Sequence, residues 1–230
     1  MEARIVAAGD SAWLIELPDR LDAAINARAI DIAARVQAAR LPALTDVVDG
    51  YRTVMVYVRP LLEARAPVLP TLEHILVEDR QPIAPTHGAA VTIPVCYGGA
   101  FGPDLREVAA FARVSEDEVV RRHGAREYRV LMVGFVPGFA YMAEVDPVIA
   151  APRRATPRLR VPPGSVAIAS GQTGIYPDET PGGWNIIGRS PRRPYDPSRA
   201  EPFLLRAGDR VRFEPIDADT YRATTAWGDA

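Results

Sequence analysis

Apolar and polar positions follow two different periods in the first third of the chain. From Arg4 to Leu17, strand-like residues alternate around Gly9-Asp10 and predict a hairpin. From Leu21 to Arg40 the apolar positions Leu21, Ile25, Ile32 and Val36, with alanines between them, recur at helical spacing and predict an amphipathic helix. Val47-Val48 and Thr53 to Val58 flank Asp49-Gly50, a dipeptide suited to the turn of a second hairpin. Thr71 to Glu78 reads as a further short helix. The sum is a small α+β layer of about 80 residues, within the usual size of a domain.

A proline-broken connector, Gln81 to Gly88 (QPIAPTHG), interrupts the pattern and places a boundary between an N-terminal α+β domain, residues 1–86, and a second domain, residues 87–230. Beyond it, Val91 to Cys96 reads as a buried strand and Pro103 to Ala112 as a helix with proline in its first turn. Ser115 and Glu118 form an S-x-x-E capping box that starts a helix ending at His123-Gly124. Glu127–Val133, Val161–Ser170, Trp184–Gly188, Phe203–Leu205 and Arg210–Pro215 are strand candidates with turn residues between them, the pattern of a sandwich or closed barrel. Gly134 to Pro191 obeys neither period, and 11 of the 22 prolines fall between Pro147 and Pro202. Glycine and proline at this density exclude a packed helix and point to a site built from loops on a β scaffold.

Composition adds a few exclusions. An apolar fraction of 48% in 230 residues supports one large or two small domains. A net charge of −2 gives no electrostatic case for nucleic acid. The start MEARIVAAGDSAW lacks the basic and apolar regions of a leader, no run is long enough to span a bilayer, and the single cysteine, Cys96, suits a reducing compartment, so a cytoplasmic location away from membranes is expected. All 27 basic residues are arginine. Without lysine there is no P-loop and no Schiff base, so an anion must be held by arginine, by backbone N–H groups or by a partner chain.

Three segments carry candidate chemistry. In GFVPGFAYM, Gly134 to Met142, Phe135, Phe139 and Tyr141 either wall a ligand or fill the corner of a barrel. In PRRATPRLR, Arg153 and Arg158 sit on a stiff, extended backbone as planar clamps for carboxylate or phosphate, or else form a solvated rim. The window Pro147 to Arg199 holds eight arginines against the three acids Asp178, Glu179 and Asp196. In GQTGIYPDETPGGWNIIGRSP, Gln172, Thr173, Tyr176, Trp184 and Arg189 offer donors and flat surfaces, unless they are turn and core residues. His123, at a predicted helix C-terminus, is a candidate acid/base or cation, or simply a cap. The scattered histidines and Cys96 have no metal-ligand spacing.

Taken together, H-x4-Y from His123 to Tyr128, GFVPGFAYM, APRRATPRLRVPPGSVAIA, QTGIYPDETPGGWNIIGRSP, TIPVCYGGAFGPDL and GDSAWLIEL resemble the 5-oxoprolinase B-subunit family, which is also described as allophanate-hydrolase-subunit-1-like and includes a sporulation kinase inhibitor. One departure is Ala143-Glu144, where many members carry Gly-Gly. The resemblance implies a small N-terminal α+β domain followed by a cyclophilin-like β-barrel. It implies ATP-dependent opening of 5-oxo-L-proline to L-glutamate, shared with a C-subunit homologue and with the A-subunit of the enzyme. ATP, with magnesium, would sit at a site shared with the partner, and no metal would be bound by the protein itself. Carried onto this chain, His123, Arg158 and Gln172 become the catalytic candidates, and Arg153, Arg189, Thr173, Tyr176, Trp184, Phe135, Phe139 and Tyr141 the binding candidates. An inhibitor of a histidine kinase and a urea- or allophanate-related carboxyl-transfer partner are the alternatives that the same motifs leave open.

Overall fold

The structure, a computed structural model, describes residues 3–20, 22–60, 67–78 and 90–227. The expected connector Gln81 to Gly88, and Leu21 of the first expected helix, lie outside the described residues. The chain divides into two compact units, Met1–Thr86 and His87–Ala230.

In the first unit, β1 (Arg4–Ala7), β2 (Ala12–Glu16), β3 (Leu44–Asp49) and β4 (Thr53–Val58) form an antiparallel sheet in the order β1-β2-β4-β3. The helix α1 (Ala23–Ala38) starts where the Asp22 carboxylate accepts hydrogen bonds from the backbone N–H groups of Ala24 and Ile25. Its stripe Ile25, Ala29, Ile32 and Val36 packs with Ile15, Val47, Val54, Val56 and Val58 of the sheet and with Leu72 of α2 (Val68–Val77).

The second unit contains a closed seven-stranded barrel. Its strands are β5 (Val91–Tyr97), β6 (Glu127–Val133), β7 (Ala140–Ala143), β9 (Ser165–Ala169), β10 (Gln172–Ile175), β12 (Asn185–Arg189) and β13 (Arg210–Ile216), in the order β10-β7-β6-β13-β5-β12-β9. The pair β5–β13 is parallel, while the other barrel pairs are antiparallel. A separate ribbon joins β8 (Arg158–Val161) to β11 (Thr180–Gly182). The helices α3 (Leu105–Ala112) and α4 (Glu116–Gly124) add Leu105, Val108, Ala109 and Val119 to the barrel core, and α5 (Ala218–Thr224) follows β13. The architecture is thus α+β with a barrel. Along β13 only Val211 and Phe213 are buried, as a half-exposed wall requires, whereas all five residues of β9 are buried. Val166 and Ile168 of β9 enter the barrel core, and Ala167 and Ala169 belong to a second apolar cluster with Phe139, Val161, Tyr176, Trp184 and Ile186.

Several expectations are corrected. Phe203 to Leu205 is not a strand; Phe203 makes a single bridge to Tyr195. Val161 to Ser170 is interrupted, because Pro162 and Pro163 supply no N–H to a ladder and Gly164 turns at φ +79°. The helix expected from Pro103 begins at Leu105. The Ser115 cap is formed, its hydroxyl accepting from the Glu118 N–H at 3.1 Å.

Candidate functional site

The segment after β6 makes a tight loop before the chain returns as β7. The Gly134 N–H donates to the Phe139 carbonyl, the Phe139 N–H to Val136, and the Val136 N–H back to Gly134. That last bond spans two residues and closes a γ-turn on Phe135, whose φ is +69°. A non-glycine residue pays strain in this region, of order 1–3 kcal/mol. Phe135 nevertheless leaves 61% of its surface exposed. Gly138, at φ +86°, lets Tyr195 approach: a Cβ at position 138 would lie 2.6 Å from the Tyr195 Cβ.

Of the aromatic binding candidates, Phe139, Tyr176 and Trp184 are core residues. Phe139 makes edge-on contacts with Tyr141, Tyr176 and Trp184 at 4.7, 5.1 and 5.4 Å between ring centres. Small Ala167 and Ala169 on the outer face of β9 leave room for them. Burial pushes the Tyr176 phenol up to about 12 and raises that of Tyr141.

His123 is also relocated. Instead of a cation at an open helix end, it is a wholly buried ring inside the barrel. Thr173 donates its hydroxyl to the Ala167 carbonyl at 3.0 Å, so it accepts from His123 Nε2–H at 2.9 Å. Nδ1 then accepts from the Tyr97 hydroxyl at 2.7 Å, and the ring stacks on Phe213 at 4.6 Å. Both nitrogens are satisfied in the neutral form, and burial lowers the pKa to about 3. Thr173 is part of the same buried chain, whereas Gln172 opens β10 and is half-buried.

The arginines are mostly committed to the protein. Arg158 grips Asp104 with Nη1–Oδ2 at 2.8 Å and Nη2–Oδ1 at 2.7 Å. Asp104, 1% exposed, also takes the Arg154 guanidinium at 2.7 Å and the Ile186 N–H at 2.7 Å. The hydrogen bonds that Arg158 donates to Asp104 hold its guanidinium even more firmly protonated. The carboxylate that Arg158 was expected to clamp is therefore one of the protein's own. Arg189 donates Nε to the Pro163 carbonyl at 2.7 Å. Arg153 lies 5.8 Å from the centre of the Trp184 ring and borders a hollow of about 390 Å³ with Arg154, Thr156 and Phe111.

A larger cleft, about 520 Å³, opens beside the γ-turn. Val136, Pro137, Pro163, Pro177, Asp178, Thr180, Arg193, Tyr195, Pro197 and Trp227 contribute to its lining. Its charged lining residues are Arg193 and Asp178. None of these residues was a site candidate in the sequence, although Asp178 was counted among the acids there. The usable signal was present in SPRRPYDP, where proline and arginine make up five of eight residues, against six of nine in PRRATPRLR. The cleft offers a guanidinium, a hydroxyl, a carboxylate and apolar ring faces, which suits a small polar ligand better than an extended one. Among the described residues, no group of three or more His, Cys, Asp and Glu side chains is placed to hold a metal, and no helix is long and apolar enough to cross a membrane.

Comparison with known proteins gives a consistent result. Residues 3–205 match the model of the carboxyltransferase domain, subdomain C and D. The chain is 37% identical to the 5-oxoprolinase B-subunit of Bacillus subtilis, over 94% of this chain and 93% of that one. It is 39% identical to the 5-oxoprolinase B-subunit of Escherichia coli O157:H7, over 93% and 96% of the two chains. The crystal structure of TTHA0988 superposes with a TM-score of 0.80 at 38% identity, over 90% of this chain and 40% of that longer one.

Proposed function

The chain belongs to the 5-oxoprolinase B-subunit family, and from that premise we propose that it is one component of an ATP-dependent 5-oxoprolinase, which opens 5-oxo-L-proline to L-glutamate together with a C-subunit homologue and an A-subunit. The observation that carries this reading is likeness along almost the whole length to two proteins of that name. The cleft agrees with it: 5-oxoproline is a five-membered lactam with one carboxylate, and a pocket of about 520 Å³ accommodates so small a molecule. The longer chain of TTHA0988 supports work in company, since this domain accounts for 40% of it.

The described residues do not by themselves fit a nucleotide. Arg158 and Arg154 are spent on Asp104, Arg189 on a carbonyl, and no acidic cluster is placed to carry magnesium. We therefore assign the larger share of the ATP site to a partner chain and derive no step through it. This chain's part is to bind and orient the lactam, with apolar walls that exclude water on one side. The test is reconstitution with the two neighbouring components while glutamate release from 5-oxoproline is followed. Glutamate should appear with all three chains and ATP, and not with this chain alone. Release that is undiminished when this chain is left out, or absent when all three are present, would overturn the proposal.

A further inference from the structure

Two polar atoms without partners belong to side chains that line the same cleft. Arg193 Nε and Thr180 Oγ1 are shielded from water and make no hydrogen bond among the described residues, although both side chains line the 520 Å³ cleft. A buried donor left unmade costs about 1–3 kcal/mol, more when it is charged, so native structures pair such groups with a partner or a ligand. The Arg193 guanidinium carbon lies 5.3 Å from the centre of the Trp227 ring. The indole is itself fixed, donating Nε1–H to the Ser190 carbonyl at 2.8 Å and leaving no room for a side chain at Gly164. The arginine is thus held against a rigid ring with its Nε–H uncommitted.

Among the described residues, no acid forms a direct ion pair with Arg193. Asp196 accepts from the Ser198 N–H and hydroxyl at 3.1 and 2.6 Å and pairs with Arg199 at 3.1 Å. The positive charge of Arg193 helps to lower the Asp196 pKa, behind those Ser198 hydrogen bonds and Arg199, without a direct ion pair between them. Asp178, on the cleft wall, accepts from the Glu179 N–H at 2.8 Å.

We propose that Arg193, braced by Trp227, and Thr180 form the subsite that holds the carboxylate of a small amide-containing acid, with Asp178 available to the amide N–H. For the substrate class, this rests on the 5-oxoprolinase reading above. It assigns anion recognition to the loop Arg193 to Pro197 and away from Arg158.

The experiment uses the full chain labelled at the tryptophan indole nitrogens, with the Trp227 signal identified by Trp227→Phe. The probes are 5-oxoproline and 2-pyrrolidinone, the same lactam without the carboxylate. 5-Oxoproline should shift the Trp227 signal and leave that of Trp13 unmoved, and 2-pyrrolidinone should bind far more weakly. Arg193→Gln should weaken 5-oxoproline binding at least tenfold, as loss of a charge-assisted pair implies. Arg193→Lys should restore part of it, and in the reconstituted complex Arg193→Gln should raise KM to a matching extent. Equal binding of the two probes, no shift at millimolar 5-oxoproline, or wild-type affinity in Arg193→Gln would each overturn the subsite. The two readings separate cleanly. Glutamate release with a KM indifferent to Arg193 defeats the subsite alone. A carboxylate-dependent shift at Trp227 in a complex that releases no glutamate defeats the reaction alone.

Discussion

At position 123 a histidine has both ring nitrogens bonded inside the barrel, between Tyr97 and Thr173. The sequence shows its place at a helix C-terminus, where the backbone dipole favours the protonated ring. It does not show the two partners, 26 and 50 positions away, or the burial that outweighs the dipole. The folded pKa is about 3, against 6.5 for a free ring, so below pH 6.5 the unfolded chain takes up a proton that the folded one refuses. Stability then falls with pH by up to about 1.4 kcal/mol per unit, until the folded ring also protonates. Glu118, held down to about 2 by Arg121 and Arg122, loses its contribution only below the ordinary carboxylate range. Between pH 6.5 and 5 the slope therefore belongs largely to His123. His123→Phe should flatten it in urea titrations across that window, and at pH 7.5 should cost about 1–3 kcal/mol through the orphaned Tyr97 hydroxyl. Equal acid slopes in the two proteins would refute the assignment.

Among the elements, the longer periodic ones were legible and the shortest ones of the glycine- and proline-rich stretch were not. The helix α1 and the strands β4, β6 and β13 announce themselves because six or more residues keep one period. The strands β7, β10 and β11 hold three or four residues each, among glycines and prolines, and exist because neighbouring strands supply their hydrogen bonds. The clamp expected of Arg158 misled for a related reason: four arginines in PRRATPRLR are visible, but Asp104, 54 positions before Arg158, is brought to Arg158 and Arg154 only by the fold. That carboxylate ties the start of α3 to β8 and, through the Ile186 N–H, to β12. Breaking a buried pair leaves an uncompensated charge, so Asp104→Asn should destabilise the protein by about 3–5 kcal/mol. In a double-mutant cycle with Arg158→Gln measured by urea unfolding, the joint loss should fall short of the sum by roughly 0.5–3 kcal/mol. Additive losses, or an Arg158→Gln variant of wild-type stability that has lost substrate binding, would return Arg158 to the role of a ligand clamp.

For the molecule as a whole, the family motifs lead to the glycine- and proline-rich stretch without resolving its parts. The glycine- and proline-rich stretch does supply the γ-turn and much of the cleft, yet its most visible aromatics build core and its most visible arginines hold the fold. Two layers of apolar contact meet across β9, one inside the barrel and one outside it. In a saturation library selected for soluble protein, that strand should therefore read as five consecutive positions closed to charge, and Ala167 and Ala169 should refuse even larger hydrophobic residues. Along β13 the profile should instead alternate, with Arg212 and Glu214 free to vary between the fixed Val211 and Phe213. A tolerance map of that kind would outline the barrel's shared wall from genetics alone.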